Sequence, residues 1–201
     1  MSTRDDAVGL WNREAETFDE AADHGLHDPA VRAAWRELLR GVLPPAPARV
    51  ADLGCGTATL GVLLGEEGYA VDGVDFSPAM VERARAKVAD SGLAGLTVAE
   101  GDAGDPPLPD ASYDVVLCRH VLWALPDQPA ALDRWRRLLV PGGQLVLVEG
   151  HWGTGAGLTG EQTVALLRAQ GVQPELHPLG DAAYWGREID DERYLVTARA
   201  D

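Results

Sequence analysis

Residues 50–59 read Val-Ala-Asp-Leu-Gly-Cys-Gly-Thr-Ala-Thr, and this stretch decides the fold. An apolar run, an acid, two glycines one residue apart and then helix-forming residues describe a strand that stops, turns sharply and feeds a helix. Gly54 and Gly56 stand where a ligand has to approach the backbone. A dinucleotide-binding turn sets a pyrophosphate at the helix N-terminus and carries a third glycine three residues after the second. Here that position is Thr59, and the carboxylate of Asp52 lies two residues ahead of Gly54. A carboxylate there repels phosphate and suits a ligand that carries positive charge.

Outward from this turn the chain alternates. Short apolar runs at 48–53, 70–75, 96–99, 113–118 and 144–149 suit buried parallel strands. Helical stretches lie between most of them. One runs from Ser77 to Asp90, with Ser77 as N-cap, Pro78 at the first helical position and Val81, Ala84 and Val88 as its stripe. Another spans Pro129 to Leu139, with Leu132, Trp135 and Leu139 inward. Such alternation predicts a parallel sheet with helices on both faces. After residue 150 a capping box, Thr159-x-x-Gln162, opens a helix to about Gln170, and strands are expected near 172–178 and 193–199. Residues 1–45 read as helices; Val31, Ala34, Trp35, Leu38 and Leu39 fall on one face, and Gly41 with the prolines after it ends that helix. The expected organisation is one domain over 1–201, with a helical segment at 1–45 and an alternating core over 46–201.

Composition narrows the function. The 201 residues are 46% hydrophobic, ample for one buried core, and the net charge is -15. That acidity argues against nucleic acid, whose binding needs clustered Lys and Arg; the chain has a single lysine, Lys87. Cys55 and Cys118 are too few for a disulfide framework, lack metal-ligand spacing and read as small buried residues. No leader or membrane-spanning run is visible, so a soluble, cytoplasmic protein is expected.

In an open parallel sheet the ligand lies beyond the carboxyl ends of the strands, where strand order reverses. The first strand ends in Asp52 and Gly54-Cys55-Gly56, the second in Asp75, the third in Gly101-Asp102-Ala103, the fourth in Cys118-Arg119-His120 and the fifth in Glu149-Gly150-His151-Trp152. Asp75 follows Asp52 by twenty-three positions, where an acid grips ribose hydroxyls. Acids after three consecutive strands suit hydroxyls, an amine and a cationic centre. S-adenosylmethionine, with its sulfonium and α-ammonium, is such a ligand.

Val-Ala-Asp-Leu-Gly-Cys-Gly-Thr (50–57), Val-Asp-Phe-Ser-Pro-Ala-Met (74–80), Gly-Asp-Ala (101–103), Tyr-Asp-Val-Val (113–116) and Leu-Leu-Val-Pro-Gly-Gly (138–143) occur in this order. With these markers the chain, from about Trp11 onward, resembles the class I S-adenosylmethionine-dependent methyltransferases of the small-molecule, type 11-like kind. The resemblance implies a Rossmann-like, doubly wound α/β fold: a seven-stranded, mostly parallel sheet with a reversed last strand and an N-terminal helical lid. It implies that Asp52, Gly54, Cys55 and Gly56 hold the methionine half of the cofactor and that Asp75 takes the ribose. Phe76 would lie against the adenine with Met80 nearby, and Asp102 with the Ala103 backbone would meet its amino group. Arg119 would border the cofactor through its backbone, and Phe18 through the lid. The family's third glycine is Ala58 here.

Methyl transfer to an oxygen or nitrogen of a small molecule would leave S-adenosylhomocysteine. His120 is the leading candidate for a base, with His24 and His151 behind it, although an activated methyl donor often needs none. Trp123, Trp152, Tyr184 and Trp185 are candidate walls for a planar or apolar acceptor, or else core. Trp11 and Phe18, seven apart on an expected helix, are lid or core. Two other readings stay open: a nicotinamide-dependent oxidoreductase on a related fold, and a non-catalytic cofactor-binding partner protein.

Overall fold

The computed structural model describes residues 4–200; residues 1–3 and 201 of the ranges given above lie outside them. The apolar runs become β1 (Arg49–Leu53), β2 (Ala70–Asp75), β3 (Leu96–Glu100), β4 (Tyr113–Arg119), β5 (Leu139–His151), β6 (Pro174–Pro178) and β7 (Glu192–Arg199). They form one sheet in the order β3-β2-β1-β4-β5-β7-β6. The β1–β2, β1–β4, β2–β3 and β4–β5 pairs are parallel, whereas β7 runs antiparallel to both β5 and β6. The seven-stranded sheet with its reversed last strand is as expected.

Alternation along the strands builds two cores. Val50, Val115, Leu117, Val146, Val148 and Leu195 face one side, where α3 (Pro29–Val42) and α4 (Thr59–Glu66) pack. Ala51, Leu53, Val116, Cys118, Leu145, Leu147 and Val196 face the other, covered by α6 (Gln128–Leu138) and α7 (Gly160–Ala169). The stripe of α3 buries Val31, Trp35 and Leu39, as its spacing predicts. Helix α5 (Pro78–Ser91) is started by Ser77, whose side chain accepts from the Met80 amide, and α7 has the full Thr159–Gln162 capping box.

Two boundaries differ from the sequence reading. β5 begins at Leu139 rather than 144, because pairing with β4 continues from Tyr113–Leu139 to Val115–Gln144 across an irregularity that absorbs Pro141-Gly142-Gly143. Helix α1 (Arg4–Glu14) stops before Phe18, which starts a 3₁₀ turn (Phe18–Glu20) followed by α2 (Ala22–Gly25). Trp11 and Phe18 therefore do not share a helix. Glu14 and Glu16 sit where the helix dipole disfavours acids, and Asp19 is drawn instead to Lys87 and Thr57.

Candidate functional site

Strand order reverses beside β1, and a cleft opens there at the carboxyl ends of β1, β2 and β4. Its floor is the turn after β1. Gly54 (φ 71°) and Gly56 (φ 54°) take left-handed backbone; a Cβ at Gly54 would collide with the Val121 side chain, and one at Gly56 would lie 3.1 Å from the Phe18 ring. The amides of Gly54 and Cys55 both donate to the Val74 carbonyl, at 2.7 and 3.0 Å, tying this turn to β2. Asp75 completes the tie: Oδ2 accepts from the Gly56 amide and Oδ1 from the Ser77 amide, each at 2.9 Å.

Asp52 faces the cleft from the end of β1, is 3% exposed and has no hydrogen bond to the described residues. Burial pushes its carboxyl up to about 7, partly opposed by Arg119 and reinforced by the charge of Asp75. Asp75 is raised too, by burial, with its backbone hydrogen bonds pulling the other way. Arg119 reaches in from β4 with a half-buried side chain that donates to the Asp23 carbonyl and lies 5.2 Å above the Trp35 ring. It thus enters with its guanidinium and not with its backbone alone, as expected from sequence, because the Trp35 face and the Asp23 carbonyl give a desolvated cation two partners.

His120 follows β4 with a positive φ of 61°, its amide held by the Val148 carbonyl at 2.8 Å. Burial and the Arg119 charge hold the imidazole well below its ordinary range, so it is neutral and weakly basic. The segment after it is fixed by Glu149, fully buried on β5, whose Oε1 accepts from the amides of Val121 (3.0 Å) and Leu122 (2.7 Å). Burial raises Glu149 to about 8 against these bonds.

The N-terminal segment closes the cleft from above. Phe18 stacks on His24 (ring centroids 4.2 Å, 14°) and meets Trp11 edge-on at 6.2 Å. Burial and Arg119 lower His24. Asn12 on α1 accepts from the Ser77 hydroxyl at 2.7 Å and the Ala79 amide at 3.2 Å. Lys87 on α5 binds Asp19 (2.7 Å), Thr57 (2.9 Å) and Thr59 (2.6 Å), so one ammonium ties the 3₁₀ turn to the floor.

Of the residues singled out from sequence, Trp11, Phe18, His24, Asp52, Gly54, Cys55, Gly56, Asp75, Phe76, Met80, Arg119 and His120 line this cleft. Asp102 and Ala103 do not: Asp102 accepts from the Gly104 amide at 2.8 Å, and the Ala103 carbonyl is taken by the Trp135 indole at 2.6 Å. His151, at the end of β5, also lies outside the lining. Tyr184 and Trp185 on α8 (Ala182–Trp185) pack against Trp35 at the core, the second of the two readings the sequence left open, and the Trp185 ring also faces His120 at 6.0 Å. Trp123 and Trp152 meet each other at 5.4 Å beyond His120. Leu60, Val121 and Ala124 line the cleft without having been singled out, being apolar residues that look like any core position. Glu149 was marked only as a strand end, though a carboxylate inside an apolar run is a legible anomaly.

Residues 51–147 match the family model described as a methyltransferase domain. This segment is a methyltransferase domain. The chain is 37% identical over 122 residues to a demethylmenaquinone methyltransferase of Deinococcus radiodurans, covering 59% of this chain and 50% of that one. It is 34% identical over 137 residues to the nocamycin O-methyltransferase of Saccharothrix syringae, covering 65% and 48%. The chain thus spans about half the length of the curated relatives it matches. Its fold is that of an S-adenosylmethionine-dependent methyltransferase of Thermotoga maritima described as a possible histamine N-methyltransferase, with a TM-score of 0.74 over 96% of this chain and 99% of the other at 20% identity. The methyltransferase domain as matched holds Asp52, Asp75, Arg119 and His120, and leaves Phe18, His24 and everything after Leu147 outside.

Proposed function

We propose that this chain binds S-adenosylmethionine in the cleft and transfers its methyl group to an oxygen or nitrogen of a small molecule. The observation that carries the reading is Asp52: a buried carboxylate facing the cleft, with the half-buried cation of Arg119 on the same lining and within its electrostatic reach. An acid and a guanidinium side by side match a zwitterionic amino-acid group, the carboxylate taking its ammonium and the guanidinium its carboxylate. A pyrophosphate would instead meet Asp52 and Asp75.

Asp75, held by two backbone amides, keeps acceptor capacity on both oxygens for the ribose hydroxyls. Phe76 and Met80 supply the apolar side for the adenine, and the backbone of Gly54, Cys55 and Gly56 lets the ligand come close. When bound, S-adenosylmethionine supplies a methyl group on cationic sulfur, which an acceptor lone pair takes as the sulfur keeps the electrons of the broken bond. Phe18 and His24, in a lid formed by residues 1–45, exclude water above the cleft, and residues 1–201 work as one domain. His120, kept neutral, positions the acceptor and does not store its proton; in-line alignment supplies the acceleration.

The test is release of S-adenosylhomocysteine by the full chain from a panel of small phenols and amines, with ligand binding followed by calorimetry. Asp52→Asn and Asp75→Ala each weaken S-adenosylhomocysteine binding by about tenfold or more, the loss of one charged or bidentate hydrogen-bonded contact. NADH gives no thermal shift; a shift with NADH and none with S-adenosylhomocysteine overturns the reading. Tight S-adenosylhomocysteine binding without turnover on any acceptor supports a cofactor-binding partner protein instead. His120→Gln keeps turnover within about tenfold of the parent, whereas loss of a working base costs roughly 10²–10⁴.

A further inference from the structure

Behind His120, away from the cleft, lies a second polar cluster that the reading above does not use. Arg193 pairs with Gly150 across β5 and β7, and its side chain is 7% exposed. Nη2 donates to Asp191 Oδ2 at 2.8 Å, while Nε and Nη1 are buried without a partner. The guanidinium carbon lies 5.2 Å from the ring centres of both Trp152 and Trp185. His120 faces the same two indoles, at 5.3 and 6.0 Å, and its Nε2 is also buried without a partner. Two free donors of a guanidinium and an imidazole nitrogen therefore converge on one aromatic pair. Trp152 covers them from a strap in which Gly153, Gly155 and Gly157 alternate. Gly155 and Gly157 take positive φ.

A buried charged donor left unpaired destabilises the fold, and native structures rarely keep several together without a purpose. Asp191 uses one edge of the guanidinium through Oδ2, its Oδ1 being buried without a partner, and leaves two donors on the others. The ligand such donors fit is an acceptor-only group, and the flanking indoles favour a flat one. The positive charge of Arg193 disfavours a cation.

We propose that Arg193 and His120, behind Trp152, form the acceptor subsite, and that the acceptor is a small planar molecule bearing a carboxylate. The carboxylate takes Nε and Nη1 of Arg193, and the group to be methylated points past His120 into the cleft. The inference rests on the methyl-transfer reading, because His120 both lines the cleft and faces Trp152. It assigns a specificity role to Arg193, which lies outside the matched methyltransferase segment.

The experiment is calorimetry on the full chain saturated with S-adenosylhomocysteine. The probes are benzoate, 4-hydroxybenzoate, anthranilate and indole-3-acetate, each paired with its neutral amide. At least one acid binds about tenfold or more tightly than its amide, as expected for one charge-assisted contact. In Arg193→Gln that preference falls to within about twofold, and Arg193→Lys keeps part of it, since it retains the charge but not the fork. No preference for any acid in the wild-type chain overturns the proposal without requiring a variant. A preference that survives in Arg193→Gln, with S-adenosylhomocysteine binding intact, overturns it as well. Failure to bind S-adenosylhomocysteine at all is the separate failure of the methyl-transfer reading.

Discussion

Ala58 occupies the third-glycine position of the cofactor turn with φ 61° and ψ 28°, buried, as an N-cap with no side-chain bond to offer. Left-handed backbone costs an L-residue about 1–2 kcal/mol, and glycine returns part of that gain through its freer unfolded chain. Ala58→Gly therefore raises the melting temperature by roughly 1–2 °C in scanning calorimetry, and Ala58→Val lowers it, because a β-branched residue tolerates that conformation least. Glu149 offers a sharper contrast. With a carboxyl raised to about 8, it is largely protonated at neutral pH, so Glu149→Gln keeps an acceptor for the Val121 and Leu122 amides at little cost. Glu149→Leu strands two buried donors and costs about 2–4 kcal/mol in denaturant unfolding; equal stability of the two variants contradicts this account. Asp52 and Asp75 were legible because a carboxylate closing an apolar run is out of place unless it has a task. Arg193 was not, since a charged residue near a strand end reads as solvated surface, and nothing local announces that Trp152 and Trp185 will enclose it.

The strands and most helices followed from apolar runs and caps, which are local properties: Ser77, Thr159 and the stripe of α3 each act within one turn of chain. The N-terminal segment resisted because its conformation is set from outside. Phe18–Glu20 is shaped by Lys87, some seventy residues away, and the stop of α1 follows from where Asp19 has to go. For the same reason the sequence left Tyr184 and Trp185 open between wall and core, since the packing of Trp35 on both is set from far along the chain. The Lys87 knot fastens the 3₁₀ turn to the floor of the cleft. Burial works to raise the Asp19 carboxyl, yet hydrogen bonds from Lys87 and Thr57 and the ammonium charge hold it below its ordinary value, so the pair is ionised. Lys87→Met removes three contacts of a half-buried ammonium and leaves Asp19 to solvent. S-adenosylhomocysteine binding then weakens by about three- to tenfold, with faster amide exchange confined to the segment around residues 15–25. Exchange that quickens throughout α5 instead would make Lys87 a general stabiliser and not a lid fastener.

Across the whole molecule two buried carboxyls resist ionisation, Asp52 in the cleft and Glu149 outside its lining. The folded-state values for Asp52 (about 7, from 3.8) and Glu149 (about 8, from 4.5) lie above their unfolded values. For such groups the unfolded chain gives up its proton first, so stability is greatest below the unfolded values, declines as pH rises between them, and flattens once the folded groups have also ionised. Asp19 and Asp72 are shifted the other way, Asp72 by Thr97, Tyr113 and Arg49 working against its burial, and their contribution is lost as pH falls below the ordinary carboxylate range. His24 and His120, lowered in the fold, oppose that decline below the ordinary imidazole range, so the melting temperature of the chain without ligand falls most clearly above it, toward pH 8. A cationic ligand reverses the Asp52 part of that slope by stabilising the carboxylate. S-adenosylhomocysteine, through its ammonium, binds more tightly at pH 8 than at pH 6, releases a proton on binding at pH 6, and raises the melting temperature more at the higher pH. Calorimetry in buffers of different ionisation enthalpy reads the proton directly. Asp52→Asn removes the proton release and flattens the affinity between pH 6 and 8, while the Glu149 part of the stability slope persists because that group lies outside the cleft lining. Proton release undiminished in Asp52→Asn would place the titrating group elsewhere and take the ammonium contact away from Asp52.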